Sequence, residues 1–324
     1  MAAVAVVALV FAFALPSLAR YGVVWKELQS LTAFWLAVLL GAVLVNSVTS
    51  ALPWRVLLPR LGFLSTLRIT QASTALITVL PGGAPAGMAV SFAMLRARKI
   101  RSDSAGVTVA LAGAWSQLST FVFPIVALAA ISANGPLPRP ALWAAVAGLV
   151  LIVVAVALIA AALAGRRQAV VIGAATHSVA LALLRLAHRP IPVWSRTNSL
   201  RLRRTTLRAI REHGLGLTCA TLANQLTGFL VFDLSLRALG ISTAQISIAE
   251  SFTAWSLARL IESLPLTPGG LGLVELGLSG MLIAFGGPHA PVLAAVLLYR
   301  GLVVVPTLVL GGIAVLTWRY RWST

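Results

Sequence analysis

Two long apolar stretches in this sequence are each interrupted by the same tripeptide. Residues 63–96 are broken at Pro81-Gly82-Gly83, and residues 245–286 at Pro268-Gly269-Gly270. Proline removes a backbone donor and clashes with the preceding turn, so a helix stops there. Paired glycines then reach conformations that other residues avoid. In a hydrocarbon environment every freed backbone group needs a protein or water partner. Each half-segment is about 13–20 residues long, marginal for crossing a core of about 30 Å. The pattern therefore predicts two re-entrant helical hairpins, each entering and leaving on one face. A kinked helix pair that crosses fully is the alternative.

Composition places these breaks in a membrane. The chain has 324 residues, 59% hydrophobic and 10% charged. Soluble globules carry about 25% charged residues, so this chain cannot cover a water-facing surface. Apolar runs near 2–19, 31–52, 104–132, 140–164, 214–239 and 290–317 read as full spans. The expected fold is an all-α polytopic membrane protein with six full spans and two re-entrant hairpins. It forms one integral membrane domain over residues 1–324. The first run starts at the initiating methionine without a basic flank, which argues against a secretory signal peptide.

The charges set the topology. Lys and Arg total 25 against 7 Asp and Glu, a net charge of +18. The basic residues sit in short loops between apolar runs, which fits the positive-inside rule and not a nucleic-acid surface. Arg55, Arg60 and Arg68 precede the first break; Arg96, Arg98, Lys99 and Arg101 follow it. The ends of the second hairpin, 240–248 and 286–291, carry no Lys or Arg. This predicts cytoplasmic N- and C-termini, a first hairpin entering from the cytoplasm and a second from outside. Residues 165–213 carry ten Arg and one Glu and are expected to form a cytoplasmic, basic interfacial segment. That segment serves as a topology anchor or captures acidic headgroups.

A repeat follows from this order. Span, span, hairpin, span (1–132) is followed by span, span, hairpin, span (140–317), with Pro81 and Pro268 187 positions apart. Three full spans per half invert the second half relative to the first. Inverted repeats with paired broken helices are typical of secondary transporters, with the substrate site at the breaks.

Few ionisable residues lie inside the apolar zone, and each costs about 2.5–3.5 kcal/mol at a helix centre, which makes a functional role the default expectation. Five group around the second break in sequence: Glu250, Arg259, Glu262, Glu275 and Arg300. Arg259 and Glu262 share a helix face at a spacing of three. Glu275 opens the half-helix after the glycines, within reach of Arg259 or Arg300; such pairs either act directly on substrate or protons or only lock the hairpin. The half-helix after Thr267-Pro268-Gly269-Gly270 presents free N–H groups and a positive dipole end, attractive to phosphate or carboxylate. Pro81-Gly82-Gly83 offers the same feature without a carboxylate. The proposed path brings anionic headgroups over Arg96, Arg98, Lys99 and Arg101 to Arg259 and Arg300. Asn46, Gln71, Thr78, Gln117, Asn224, Gln225 and Thr227 read as ordinary interhelix hydrogen-bonding groups. Asp233 and Arg237 read as an interfacial pair, and Trp318 and Trp322 beside Arg319 and Arg321 as an interface anchor. His177, His188, His213, His289 and Cys219 lack metal-ligand spacing, so no metal or other cofactor is expected.

The string Glu262-Ser263-Leu264-Pro265-Leu266-Thr267-Pro268-Gly269-Gly270-Leu271-Gly272-Leu273-Val274-Glu275 resembles a motif of the lysylphosphatidylglycerol synthase transmembrane-region family, also called the flippase-like domain family. Leu297-Leu298-Tyr299-Arg300 is similar to that family's following helix, and Leu80-Pro81-Gly82-Gly83 to its first motif. Many relatives continue the first motif with Gly-Gly-Asp and a nearby Arg. Here it reads Ala84-Pro85-Ala86-Gly87-Met88-Ala89, with no Arg before Arg96. The resemblance implies an eight-segment membrane domain associated with lipid translocation. It does not imply synthase activity, which in bifunctional relatives resides in a soluble domain not seen here, so no enzyme activity is expected. The expected partners are membrane lipids, an anionic phospholipid or a lipid-linked headgroup at the plasma membrane. Two alternatives stand beside translocation: an ion- or proton-coupled solute transporter, and a non-transporting accessory of an envelope-biosynthesis enzyme.

Overall fold

The computed structural model describes residues 21–80, 83–132, 196–264 and 267–320. All regular structure among them is helical. The chain order is α1 (Tyr21–Gln29), α2 (Ala33–Ser50), α3 (Leu52–Leu57), α4 (Phe63–Val79), α5 (Ala84–Ala97) and α6 (Ser102–Ser132). It continues with α7 (Arg196–Ala238), α8 (Ile248–Ser263), a single 3₁₀ turn at Pro268–Gly270, α9 (Leu273–Ala284) and α10 (His289–Tyr320). Among the described residues four stretches are long and apolar enough to cross a membrane: 33–57, 102–131, 203–238 and 289–318. These match four of the six expected spans. The runs at 2–19 and 140–164, the tip residues Pro81 and Gly82, and the segment 165–195 lie outside the described residues.

Local sequence sets the helix ends. Thr32 caps α2 by accepting the Trp35 amide at 3.4 Å. Ser247 and Glu250 form a reciprocal capping box at the start of α8, with Ser247 N–H donating to Glu250 Oε2 at 2.8 Å. At the end of α5 the Ile100 amide donates to Leu95 O at 3.3 Å and the Lys99 amide to Arg96 O at 2.9 Å. This is a Schellman closure, with Lys99 at φ 60° in the position usually held by glycine.

Both broken segments fold back as helical hairpins. In the first, a Cβ added to Gly83 would fall 2.6 Å from Leu76 O, and one on Gly87 would fall 2.9 Å from Ser73 O. Contacts that step down α4 as they step up α5 are antiparallel. In the second, Gly277 faces Ile261 and Gly270 faces Glu262 in the same sense.

α10 aligns the two hairpins. The open end of the first lies at its C-terminal end, where Arg68, Ala97 and Arg98 meet Thr317 and Trp318. The open end of the second lies at its N-terminal end, where Leu282 packs in one core with Val292 and Ile246. Between them the tips touch: a Cβ on Gly269 would sit 2.9 Å from Thr78 O. The hairpins thus approach each other from opposite ends of one helix.

One boundary differs from the sequence expectation. The basic stretch 196–213 was expected to lie apart from the span beginning at 214. It is instead the first part of α7, which runs 43 residues without a break. At 1.5 Å per residue that is about 65 Å, longer than a bilayer with its headgroups. No proline interrupts the stretch, and Arg208 pairs with Glu212 one turn on at 2.8 Å. Residues 203–213 therefore stand in line with the span.

Small residues allow the closest approach in the fold. A Cβ on Gly311 of α10 would collide with Ala75 and fall 2.5 Å from Gln71 O of α4, whereas one on Gly312 would meet nothing within 4 Å. Gly311→Ala is therefore expected to lower stability by about 1–3 kcal/mol through overpacking. Gly312→Ala is expected to be neutral or stabilising, as alanine favours helix. Thermal melting of the full chain in detergent compares the two; equal melting temperatures would contradict the close α4–α10 contact.

Candidate functional site

The site forms where the second break meets α10. Its geometry starts with backbone conformation. Gly269, Gly270 and Gly272 have φ of 56°, 68° and 85°, a region that residues with a Cβ rarely enter. The turn holds itself by Gly270 N–H donating to Thr267 O at 3.2 Å and Leu271 N–H to Pro268 O at 3.0 Å. Gly269 O is turned outward and left for another partner.

Arg300 supplies that partner. Its Nη2 donates to Gly269 O at 2.7 Å, its Nε to Glu275 Oε1 at 2.9 Å and its Nη1 to Glu262 Oε1 at 3.3 Å. One guanidinium thus holds α8, the 3₁₀ turn and α9 together. Glu275 uses its other oxygen to accept the Gly272 amide at 2.7 Å, closing the free N-terminus of α9. The Arg300 and Glu275 side chains are 7% and 1% exposed, so this pair is sealed in protein. All three donor nitrogens of Arg300 are engaged, so it organises the tip and has no nitrogen without a protein acceptor.

Arg259 and Glu262 are the open half of the cluster, 31% and 28% exposed. Arg259 Nη1 donates to Glu262 Oε2 at 2.5 Å and Nη2 to Gln225 Oε1 at 3.3 Å. Gln225 in turn donates to Ser119 Oγ of α6 at 3.0 Å. The guanidinium also lies 5.9 Å from the Trp255 ring centroid, within cation–π range. Trp255 Nε1 donates to the Tyr299 hydroxyl at 3.1 Å, beside Arg300 in sequence. Two polar atoms remain buried without a partner: Arg259 Nε and the Thr267 hydroxyl. Such atoms are rare in folded proteins and mark places that water or a ligand can satisfy.

The other expected site residues are distributed as follows. Gly83 lies at the start of α5 against Leu76 and Ile77 of α4, and Thr78, near the end of α4, lies beside Gly269. Arg96, Arg98, Lys99 and Arg101 lie at the opposite, open end of that hairpin. There Arg96 caps Ile100 O at 2.6 Å and Arg101 pairs with Asp103 at 3.8 Å. Glu250 does not join the cluster. It is spent in the capping box at the far end of α8, twelve residues and about 18 Å from Glu262. Gln225, Ser119, Trp255 and Tyr299 belong to the site and were not marked as site residues by the sequence. Asp233 and Arg237 pair at 2.8 Å, as their spacing predicted. Among the described residues no group of three His, Cys, Asp or Glu is placed to hold a metal.

The transmembrane region of lysylphosphatidylglycerol synthase, as a family model, matches residues 1–311. The chain belongs to this family. A search of curated proteins finds no match. Membership accounts for the helical membrane architecture.

The sealed pair has a measurable consequence. Removing one partner leaves the other charge buried and uncompensated, at a cost of about 3–5 kcal/mol. Arg300→Gln and Glu275→Gln are each expected to destabilise the protein by that order. The double variant is expected to lose much less than the sum of the two. A double-mutant cycle on melting in detergent measures the coupling; additive losses would mean the contact is energetically idle.

Proposed function

We propose that the protein moves an anionic phospholipid or a lipid-linked anionic headgroup between membrane leaflets. One observation carries this reading: two hairpin tips converge from opposite ends of α10 beside a charge cluster that keeps unpartnered donors. Oppositely entering hairpins whose tips meet in mid-structure suit a site reached in turn from each side. Family membership supports a lipid as the cargo. Arg300 lies eleven residues from one end of α10, about 17 Å along its axis, which suits a site near mid-depth.

In this reading the protein sits in the plasma membrane with both termini cytoplasmic. Arg96, Arg98, Lys99 and Arg101 gather headgroups at the basic end of the first hairpin. The headgroup then passes to the tips, where Arg259 Nε and the Thr267 hydroxyl offer donors. Arg300 and Glu275 hold the second tip in shape throughout, and the first tip contributes backbone and Thr78 without charge. Glu262 favours a second reading, a proton-coupled solute transporter. It is the more exposed carboxylate of the cluster, and it would take up a proton only as Arg259 and Arg300 release it.

Leaflet sidedness of fluorescent anionic lipids in proteoliposomes tests both readings. Wild-type protein is expected to speed dithionite access to the inner-leaflet probe. Arg259→Gln is expected to cut that rate by about tenfold, the worth of one charge-assisted hydrogen bond. Rates equal to empty vesicles across several lipid classes would defeat the translocation reading. Solute uptake that follows an imposed pH gradient, without lipid movement, would select the second.

A further inference from the structure

A cavity of about 170 Å³ opens at the basic end of the molecule, between the first hairpin and the C-terminal part of α10. It lies far from the four-ion cluster. Trp318, on its wall, is eighteen residues and about 27 Å along α10 from Arg300. Its lining brings together Arg68 from α4, Arg98 from the end of α5, and Thr317 and Trp318 from α10, with Met94, Ala97 and Ala314 as an apolar floor. Two arginines and no carboxylate line it.

Three features together specify the ligand. The first is charge: arginines from two different helices line one cavity, Arg98 donating to Met94 O at 3.3 Å on its wall, and guanidinium planes match the oxygens of a phosphate. The second is an unmet hydrogen bond. Trp318 Nε1 is buried without an acceptor among the described residues, whereas a buried indole N–H normally has one. Arg68 likewise has no hydrogen-bond or ion-pair partner among the described residues, and it is exposed, so the cavity reaches the surface. The third is depth. Arginine and tryptophan at one helix end mark the headgroup level of a bilayer. The volume is several times the ~30 Å³ of a water molecule, enough for a tetrahedral oxyanion and part of its ester arm.

We propose that this cavity is a phosphate-binding site in which Arg68 and the Trp318 indole N–H hold a phosphate oxyanion, with Arg98 adding charge. A lipid headgroup at the same level is the natural occupant, and free phosphate carries the same chemistry. The site does not depend on translocation: a protein that moves no lipid would still bind here.

The test reads binding alone. The full chain, labelled with 5-fluorotryptophan, is purified in a maltoside detergent and followed by fluorine NMR. Nine tryptophans give nine resonances, and Trp318→Phe identifies the one from Trp318. Dihexanoyl phosphatidylglycerol is expected to shift that resonance saturably. Arg68→Gln is expected to weaken the titration about tenfold, and Arg68→Lys to restore part of it. The other eight resonances report whether each variant is folded. A saturable shift with inorganic phosphate as well would assign the site to phosphate itself; a shift with the lipid alone would assign it to a headgroup. No shift with either, or equal affinity in folded Arg68→Gln, would overturn the proposal. So would an equal shift with dihexanoylglycerol, which has the chains and no phosphate.

Discussion

The buried guanidinium of Arg300 is the contact on which the second hairpin depends. A broken helix within a membrane exposes backbone groups that hydrocarbon cannot satisfy. Here Gly269 O finds Arg300 at 2.7 Å, and the Gly272 amide finds Glu275 at 2.7 Å. Arg300 and Glu275 then neutralise each other at 2.9 Å. One ion pair thus serves both sides of the break, taking the free carbonyl with the cation and the free amide with the anion. Neither charge stands alone, which offsets the desolvation each would suffer. The three left-handed glycines make the turn sterically allowed, and the pair satisfies it electrostatically.

The fixed tip determines where the first hairpin stops. Gly269 presents no Cβ to Thr78, and one would fall 2.8 Å from its Cγ2 and 2.9 Å from its carbonyl oxygen, so the two tips approach more closely than a side chain at 269 would allow. Along α10 the same economy recurs at Gly311, where α4 approaches closely enough to exclude a methyl group. In a membrane interior, where apolar side chains gain little over lipid, such close approach between small residues is a main source of helix association. The first hairpin, residues 63–97, contains no Asp or Glu. It is placed by packing against α10 and by contact with a tip that the ion pair has already shaped.

Much of this was legible in the sequence, for physical reasons that also mark where legibility ended. Pro-Gly-Gly in an apolar run admits few structures, so both helix breaks were evident. Arg259 and Glu262 share a face by helix geometry alone, and their pairing followed. Glu250 was misplaced because nearness in sequence says nothing of depth along a helix. The Ser247-to-Glu250 spacing was the available signal, since a serine three residues before a glutamate at a helix start is a capping box. Gln225 was passed over because one amide in an apolar span looks the same whether it meets a neighbouring serine or an arginine from another helix. Its partners Ser119 and Arg259 lie 106 and 34 residues away, and only the packed bundle brings them together. The α7 boundary was drawn from composition, yet helix formation does not require uniform polarity. Arginines and leucines are both good helix formers, so the basic stretch and the apolar one share an axis.

The distribution of charge separates attraction from passage. The net +18 comes from residues placed mostly outside the apolar runs, while the inner cluster holds two arginines against two glutamates and is neutral. A strongly cationic centre would bind an anion and retain it. Conduction through a membrane site requires binding that is favourable enough to enter and weak enough to leave. A neutral cluster with two unpartnered donors, Arg259 Nε and the Thr267 hydroxyl, offers short-range hydrogen bonds without a deep electrostatic well. In the proposed function, the basic end of the first hairpin would raise the local concentration of anions, and the neutral tips would let an anion go on. The same four charges that a membrane protein keeps at high energetic cost build the break, and in the proposed function their mutual neutrality would also keep an arriving anion from being trapped.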